Sequence, residues 1–321
     1  MQRLDHRSTS SGFFTVGDPN IDELFGGGLL LGGINEFVGE SGSGKTQLAL
    51  QTCLTVQLPP DKGGCSGSAC FLTTSGVLPT PRLLQLTQEH PLLKSHDCNL
   101  SNVHTRSISS PAELSRTLQG IPLLVQQISA AETSSSRLKL LVLDSLAGVF
   151  RMAGKTTSET LMERSRELNE ISALLHGLAS TYNLAVLVIN EVNASVNREH
   201  LSEAKPPEDY IRDIYYAEQA RWFSRGSSLP SEQNFEANLG LVWASQVGLR
   251  VMMTRTGRRR FPFDGNNRSK RSAMKDAELD ESNENDAILI RRLSIIFSCC
   301  SPPSAIDYVV TKAGVCSVGD I

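Results

Sequence analysis

The chain has 321 residues, 40% hydrophobic and 20% charged, which suffices for one large α/β core with room for insertions. Its formal net charge of −3 excludes a global attraction to nucleic acid, so any such contact has to be local. No apolar run near Met1 has the form of a signal peptide, and none approaches the length of a membrane span. The chain reads as soluble and intracellular. Its seven cysteines are odd in number, and Cys65 and Cys70 lack a second Cys/His pair at zinc spacing, so free thiols are expected.

Met1 to Gly12 is polar and serine-rich and reads as a flexible tail, residues 1–12, ahead of a core spanning 13–321. Ile21 to Gly28 reads as a short helix ended by glycines. Ile34 to Val38 then reads as a strand entering Gly39-Glu40-Ser41-Gly42-Ser43-Gly44-Lys45-Thr46, which satisfies G-x-x-x-x-G-K-[ST]. The chemistry dictates that pattern. Glycines let backbone N–H groups turn inward around phosphate oxygens, Lys45 supplies a point charge, and Thr46 offers a hydroxyl to Mg²⁺. The helix expected from Gln47 to Val56 aims its positive dipole end at the same anion and stops before Pro59-Pro60.

Further along, Ala69 to Thr73 reads as a strand and Pro79 to Glu89 as a helix whose Pro81 fits only the first turn. Leu138 to Asp144 is an apolar strand ending in a carboxylate, placed to serve a Mg²⁺ shell. Ser158 to Tyr182 has apolar residues at helical spacing, and Leu184 to Ile189 and Val247 to Thr254 read as strands. Ile288 to Phe297 and Ala305 to Thr311 flank Ser301-Pro302-Pro303-Ser304 and read as an antiparallel hairpin. Strands alternating with helices predict a mostly parallel sheet covered on both faces. Two stretches break the pattern. Val192 to Asn238 is too long for an ordinary connecting loop. Arg255 to Asp286 is basic and then acidic; it reads as a disordered insertion, with a nuclear-import signal or a DNA-phosphate patch as the alternative.

Thr46-Gln47-Leu48, Leu58-Pro59, Gly63-Gly64, Leu143-Asp144-Ser145 and Ile189-Asn190 together resemble the RecA-type strand-exchange recombinases of eukaryotes. Leu239-Gly240-Leu241-Val242-Trp243-Ala244 and the Ser301 to Ser304 turn narrow the likeness to a recombinase paralogue. The resemblance implies a RecA-like P-loop ATPase core that uses ATP and Mg²⁺ and works in the nucleus in homologous recombination repair of double-strand breaks. It implies that Gly39, Glu40, Ser41, Gly42, Ser43, Gly44, Lys45 and Thr46 bind the triphosphate. Lys45 would also take part in catalysis, Thr46 and Asp144 would sit at Mg²⁺, and Arg82 would stack on adenine. The hairpin around Pro302 would touch the nucleotide of a neighbouring subunit. Implied partners are another paralogue, the main recombinase, and single-stranded or branched DNA, without a membrane.

Three departures from the family pattern stand out. Ser75 occupies the place of the glutamate that activates water, and a hydroxyl is a poor base, so hydrolysis should be slow. Glu191 stands where the family has a glutamine; it either repels the γ-phosphate, turns to solvent, or substitutes for the missing base. The phosphate loop starts too early for the recombinases' helical N-terminal domain, and Phe13 to Val16 offers no subunit hook, so long self-filaments are not expected. For DNA or partner contact, Arg151, Lys155, Arg164 and Arg166 are available in one loop, against an ordinary helix start. Tyr210 to Arg225, with Tyr215 and Trp222, reads either as an amphipathic helix packed on its own core or as a surface for a partner or for bases. A DNA-dependent ATPase that performs strand exchange itself is the alternative function.

Overall fold

Strands that read as unbroken apolar runs need cover on both faces, and the computed structural model supplies it. The structure describes residues 12–130, 137–150, 158–194, 235–237, 239–260 and 287–319. In chain order it contains β1 (Phe13–Phe14), α1 (Pro19–Leu24), β2 (Leu29–Leu30), β3 (Ile34–Gly39) and α2 (Lys45–Thr55). Next come β4 (Ser68–Thr73), α3 (Thr80–Glu89), α4 (Pro91–Lys94), β5 (Val103–Ser107), α5 (Pro111–Ala130), β6 (Leu138–Asp144) and α6 (Leu146–Val149). They are followed by α7 (Ser158–Tyr182), β7 (Ala185–Ala194), β8 (Phe235–Ala237) and α8 (Gly240–Ala244). The last strands are β9 (Leu249–Arg260), β10 (Ile288–Ser298), β11 (Ala305–Thr311) and β12 (Gly314–Ser317).

The main sheet runs β12-β11-β10-β9-β3-β7-β6-β4-β5, with β8 added beside β7. From β9 to β5 every pairing is parallel, while β10, β11 and β12 turn back antiparallel. Alternation along each strand divides the core. Phe71, Leu140, Val142 and Leu187 pack with α2 and α3, whereas Leu72, Leu141, Leu143, Val186 and Val188 pack with α5 and α7. This is the α/β architecture expected of a RecA-like core, with the C-terminal antiparallel hairpin joined to the sheet through β9.

Gly39 lies opposite Glu191 of β7 and Met253 of β9. The phosphate loop therefore leaves a central strand at the C-terminal edge of the parallel strands, where open α/β sheets bind ligands.

Several expectations are corrected. Arg255 to Arg260 do not belong to an insertion: β9 continues through them and pairs with β10 at Arg259↔Leu289 and Arg260↔Ile288. The cross-strand ladder outweighs the charge run of Arg258-Arg259-Arg260 there. The interruption at Val192 is shorter at both ends as well, because β7 extends to Ala194 and pairs with β8 at Val192↔Ala237. The flanks β5 and α5, and the short β12, fall where no element was anticipated. Residues 1–11, 195–234 and 261–286 lie outside the described residues, and with them the expected tail and the bulk of both irregular stretches.

Candidate nucleotide site

β3 must end in glycine. A Cβ on Gly39 would lie 2.0 Å from the carbonyl oxygen of Met253, so no other residue lets the loop start so close to β9. Gly44, at φ 99°, turns the chain through the left-handed region into α2. Lys45 and Thr46 thereby become the first residues of an eleven-residue helix, with its N–H groups facing an anion site. Gly42, Gly44, Lys45 and Thr46 line a cavity of about 810 Å³ together with Asp144 and Glu191.

Lys45 Nζ donates to the carbonyl oxygens of Gly39 and Glu40, both at 2.8 Å, which curls the ammonium back into the loop. Burial holds it below the usual lysine range, although Asp144, Glu191 and Glu40 pull the other way. Thr46 Oγ1 donates to Asp144 Oδ2 at 2.6 Å. Burial pushes Asp144 above the usual carboxylate range; the Thr46 hydrogen bond and Lys45 oppose this, and Glu191 adds to it. Two hard oxygen donors side by side, one of them ionisable, fit a small divalent cation that takes its remaining ligands from phosphate and water.

Ser75 lines the same cavity, just beyond β4, and its backbone N–H donates to Thr73 Oγ1 at 3.2 Å. The cavity thus presents a hydroxyl at that place. Glu40 is turned away from the cavity charge. Its carboxylate accepts from Arg255 through the backbone N–H at 2.7 Å and the guanidinium at 2.6 Å. Burial raises the Glu40 carboxyl, but the Arg255 contacts outweigh burial and hold it below the usual range. Arg82 does not line the cavity. Its Nε donates to Gln47 Oε1 at 2.7 Å, and its terminal nitrogens donate to Gln85 and to the carbonyl oxygens of Thr311 and Lys312. It joins the site through Gln47, which does line the cavity. Arg151, Lys155, Tyr215 and Trp222 lie outside the described residues. Of their neighbours, Arg166 is exposed, and the Arg164 guanidinium carbon stands 5.4 Å from the centre of the Phe150 ring.

Three residues missed from the sequence belong to the loop's outer wall. Besides Arg255 on Glu40, Arg291 Nε donates to Gly42 O at 3.0 Å, and the Tyr308 hydroxyl donates to Ser43 O. The available signal was Arg291-Arg292 interrupting an otherwise apolar strand. Beneath the loop lies a buried polar hub that also escaped notice. Glu36, fully buried in β3, accepts from Asn190 Nδ2 at 2.6 Å, Trp243 Nε1 at 2.8 Å and Arg250 Nε at 2.5 Å. Asn190 Oδ1 in turn accepts from Ala147 N at 2.9 Å. The hub fixes β7 next to Glu191 and α6 next to Asp144, so both acidic groups of the cavity stand on pinned backbone.

A parallel sheet that opens its central strand into a phosphate loop, with a carboxylate at the end of a nearby strand, defines a P-loop nucleotide-binding protein of RecA-like architecture. The Rad51 family model matches residues 10–211, and the chain belongs to that family. It is 31% identical over 326 residues to the DNA repair protein XRCC3 homolog of Arabidopsis thaliana, covering 99% of this chain and 97% of that protein. It is 30% identical to the DNA repair protein XRCC3 of Bos taurus, over 94% of this chain and 73% of that one. With the DNA repair protein rhp57 of Schizosaccharomyces pombe it shares 27% identity, over 78% and 71%.

Proposed function

We propose that this Rad51-family chain is an ATP-binding recombinase paralogue that acts in the nucleus in homologous recombination repair of double-strand breaks. Nucleotide serves assembly more than turnover: it stabilises a heteromer with another paralogue, which supports the main recombinase on single-stranded or branched DNA. One observation carries this reading. Lys45 and the hydrogen-bonded Thr46–Asp144 pair, the residues read as holding phosphate and cation, share one cavity with Ser75, which brings a hydroxyl where a carboxylate base would be needed. The repair proteins among its relatives support the process assigned.

Thr46 and Asp144 would hold Mg²⁺, which when bound would offset phosphate charge. Lys45 would leave its two carbonyl partners for the phosphates, exchanging neutral acceptors for charged ones. With Asp144 engaged by Thr46, Glu191 would be the cavity carboxylate that accepts a proton in place of Ser75. Arg82, tied through Gln47, would present its guanidinium plane to the adenine.

The experiment is steady-state hydrolysis by the full chain with and without single-stranded DNA. Slow turnover is expected, raised by Ser75→Glu, and lost in Glu191→Gln if Glu191 is the substitute base. Brisk DNA-stimulated hydrolysis indifferent to both changes would overturn the reading and favour an ATPase that performs strand exchange itself.

A further inference from the structure

We propose that Arg291 is a nucleotide-binding residue of the same chain, which selects triphosphate over diphosphate by offsetting Glu191. The proposal rests on reading the cavity as an ATP site. The cavity brings together two cations, Lys45 and Arg291, and two carboxylates, Asp144 and Glu191. Glu40 and Arg255 neutralise each other outside it. Without Arg291 the cavity side chains would carry a net negative charge toward a ligand that is itself an anion even with Mg²⁺ bound. Coulomb repulsion between like charges a few ångströms apart is screened weakly in a partly buried site, so a second cation has a task there.

The position of Arg291 suits that task. It enters from β10, three strands of the sheet joining it to Gly39 through β9 and β3. Its stem passes close to Gly44, where a Cβ would lie 3.9 Å from Arg291 Cδ. Nε is spent on Gly42 O at 3.0 Å and Nη1 on Leu289 O at 3.1 Å, which orients the guanidinium plane. Nη2 has no hydrogen-bond partner among the described residues and belongs to a side chain lining the cavity. Two donors anchor the fork, and the third is left without a protein partner among the described residues on a side chain that lines the cavity. Half-burial favours a charged ligand, since a partly desolvated guanidinium gains most from an anion.

The test measures the affinity of the full chain for ADP and for a non-hydrolysable ATP analogue, both with Mg²⁺, by calorimetry. The wild type should prefer the triphosphate. Arg291→Gln should weaken triphosphate binding about tenfold, the loss of one charge-assisted contact, while ADP changes by about twofold or less. Adding Glu191→Gln should restore much of the lost triphosphate affinity, because the charge it offset is gone. A merely structural role, holding the loop at Gly42, would weaken both nucleotides alike and would not be rescued at Glu191; that outcome overturns the proposal. Should Arg291→Gln not fold, Arg291→Lys and Glu191→Gln alone decide. The first should keep triphosphate preference and the second should raise it; the absence of both effects would overturn the proposal. A wild type that binds neither nucleotide overturns the ATP site itself, a distinct failure.

Discussion

Lys45 and Asp22 show how much a single charged residue can decide. Lys45 is the only cation of the loop itself, and charge-assisted hydrogen bonds contribute about 1.5–3 kcal/mol each. Lys45→Ala should therefore lower nucleotide affinity at least about tenfold in a titration of the purified chain; affinity unchanged within about twofold would contradict the site. Asp22 serves the N-terminal fold. It accepts from the Thr15 hydroxyl and, at 2.7 Å, from Val16 N. Burial pushes its carboxyl from 3.8 up to about 6, with Asp18 adding and the two hydrogen bonds opposing. A raised folded-state value means the native chain holds the proton more tightly than the unfolded chain. That stability is present below about 3.8 and is lost as pH rises through about 6. Asp22→Asn should gain on the wild type between pH 4.5 and 7 in urea midpoints. Parallel midpoints would show that Asp22 does not titrate this way.

Elements were legible where one periodicity dominated. β3, β4 and β6 announce themselves because their residues are buried on both faces, and Ser158 to Tyr182 because its apolar stripe repeats at helical spacing. β5 stayed hidden because Val103-His104-Thr105-Arg106-Ser107 is an edge strand exposed beyond its first residues, without an apolar run to detect. α5 carries Gly120 and Pro122, both poor helix residues, yet it runs for 20 residues because Leu114, Leu118 and Ile121 bury against the sheet. Tertiary packing outweighs local propensity there. The strand, glycine turn and helix around Gly39 to Thr46 were legible, the loop's outer wall was not, since Arg255, Arg291 and Tyr308 reach it only through strand pairing more than 200 residues away along the chain. The Glu36 hub is a long-range feature of the same kind. Glu36→Gln would remove the buried counter-charge of Arg250 and should cost about 3–5 kcal/mol. Trp243→Phe, losing one hydrogen bond to a carboxylate, should cost about 1.5–3 kcal/mol. Urea unfolding of both variants checks the order; a Glu36→Gln chain as stable as wild type would deny that the hub holds the sheet.

At the scale of the molecule, strand direction determines what the Ser301 to Ser304 turn can do. β10 runs antiparallel to β9 and ends with Ser298 opposite Leu249, level with Asn35 at the start of β3, whereas Gly39, at the end of β3, lies opposite Met253. The turn thus sits at the edge of the sheet remote from its own phosphate loop. Under the proposed assembly, a nucleotide touched by this turn would therefore be that of a neighbouring subunit. Pro302→Ala with Pro303→Ala should weaken the heteromer while leaving the isolated chain's nucleotide affinity within about twofold, since no residue of the cavity is touched. A ligand that binds only the assembled state stabilises assembly by mass action. Sedimentation of the proposed complex with a second paralogue, in ATP, in a non-hydrolysable analogue and without nucleotide, tests the central claim most directly. The complex should persist equally in ATP and the analogue and dissociate without nucleotide. Equal stability in all three conditions would contradict it.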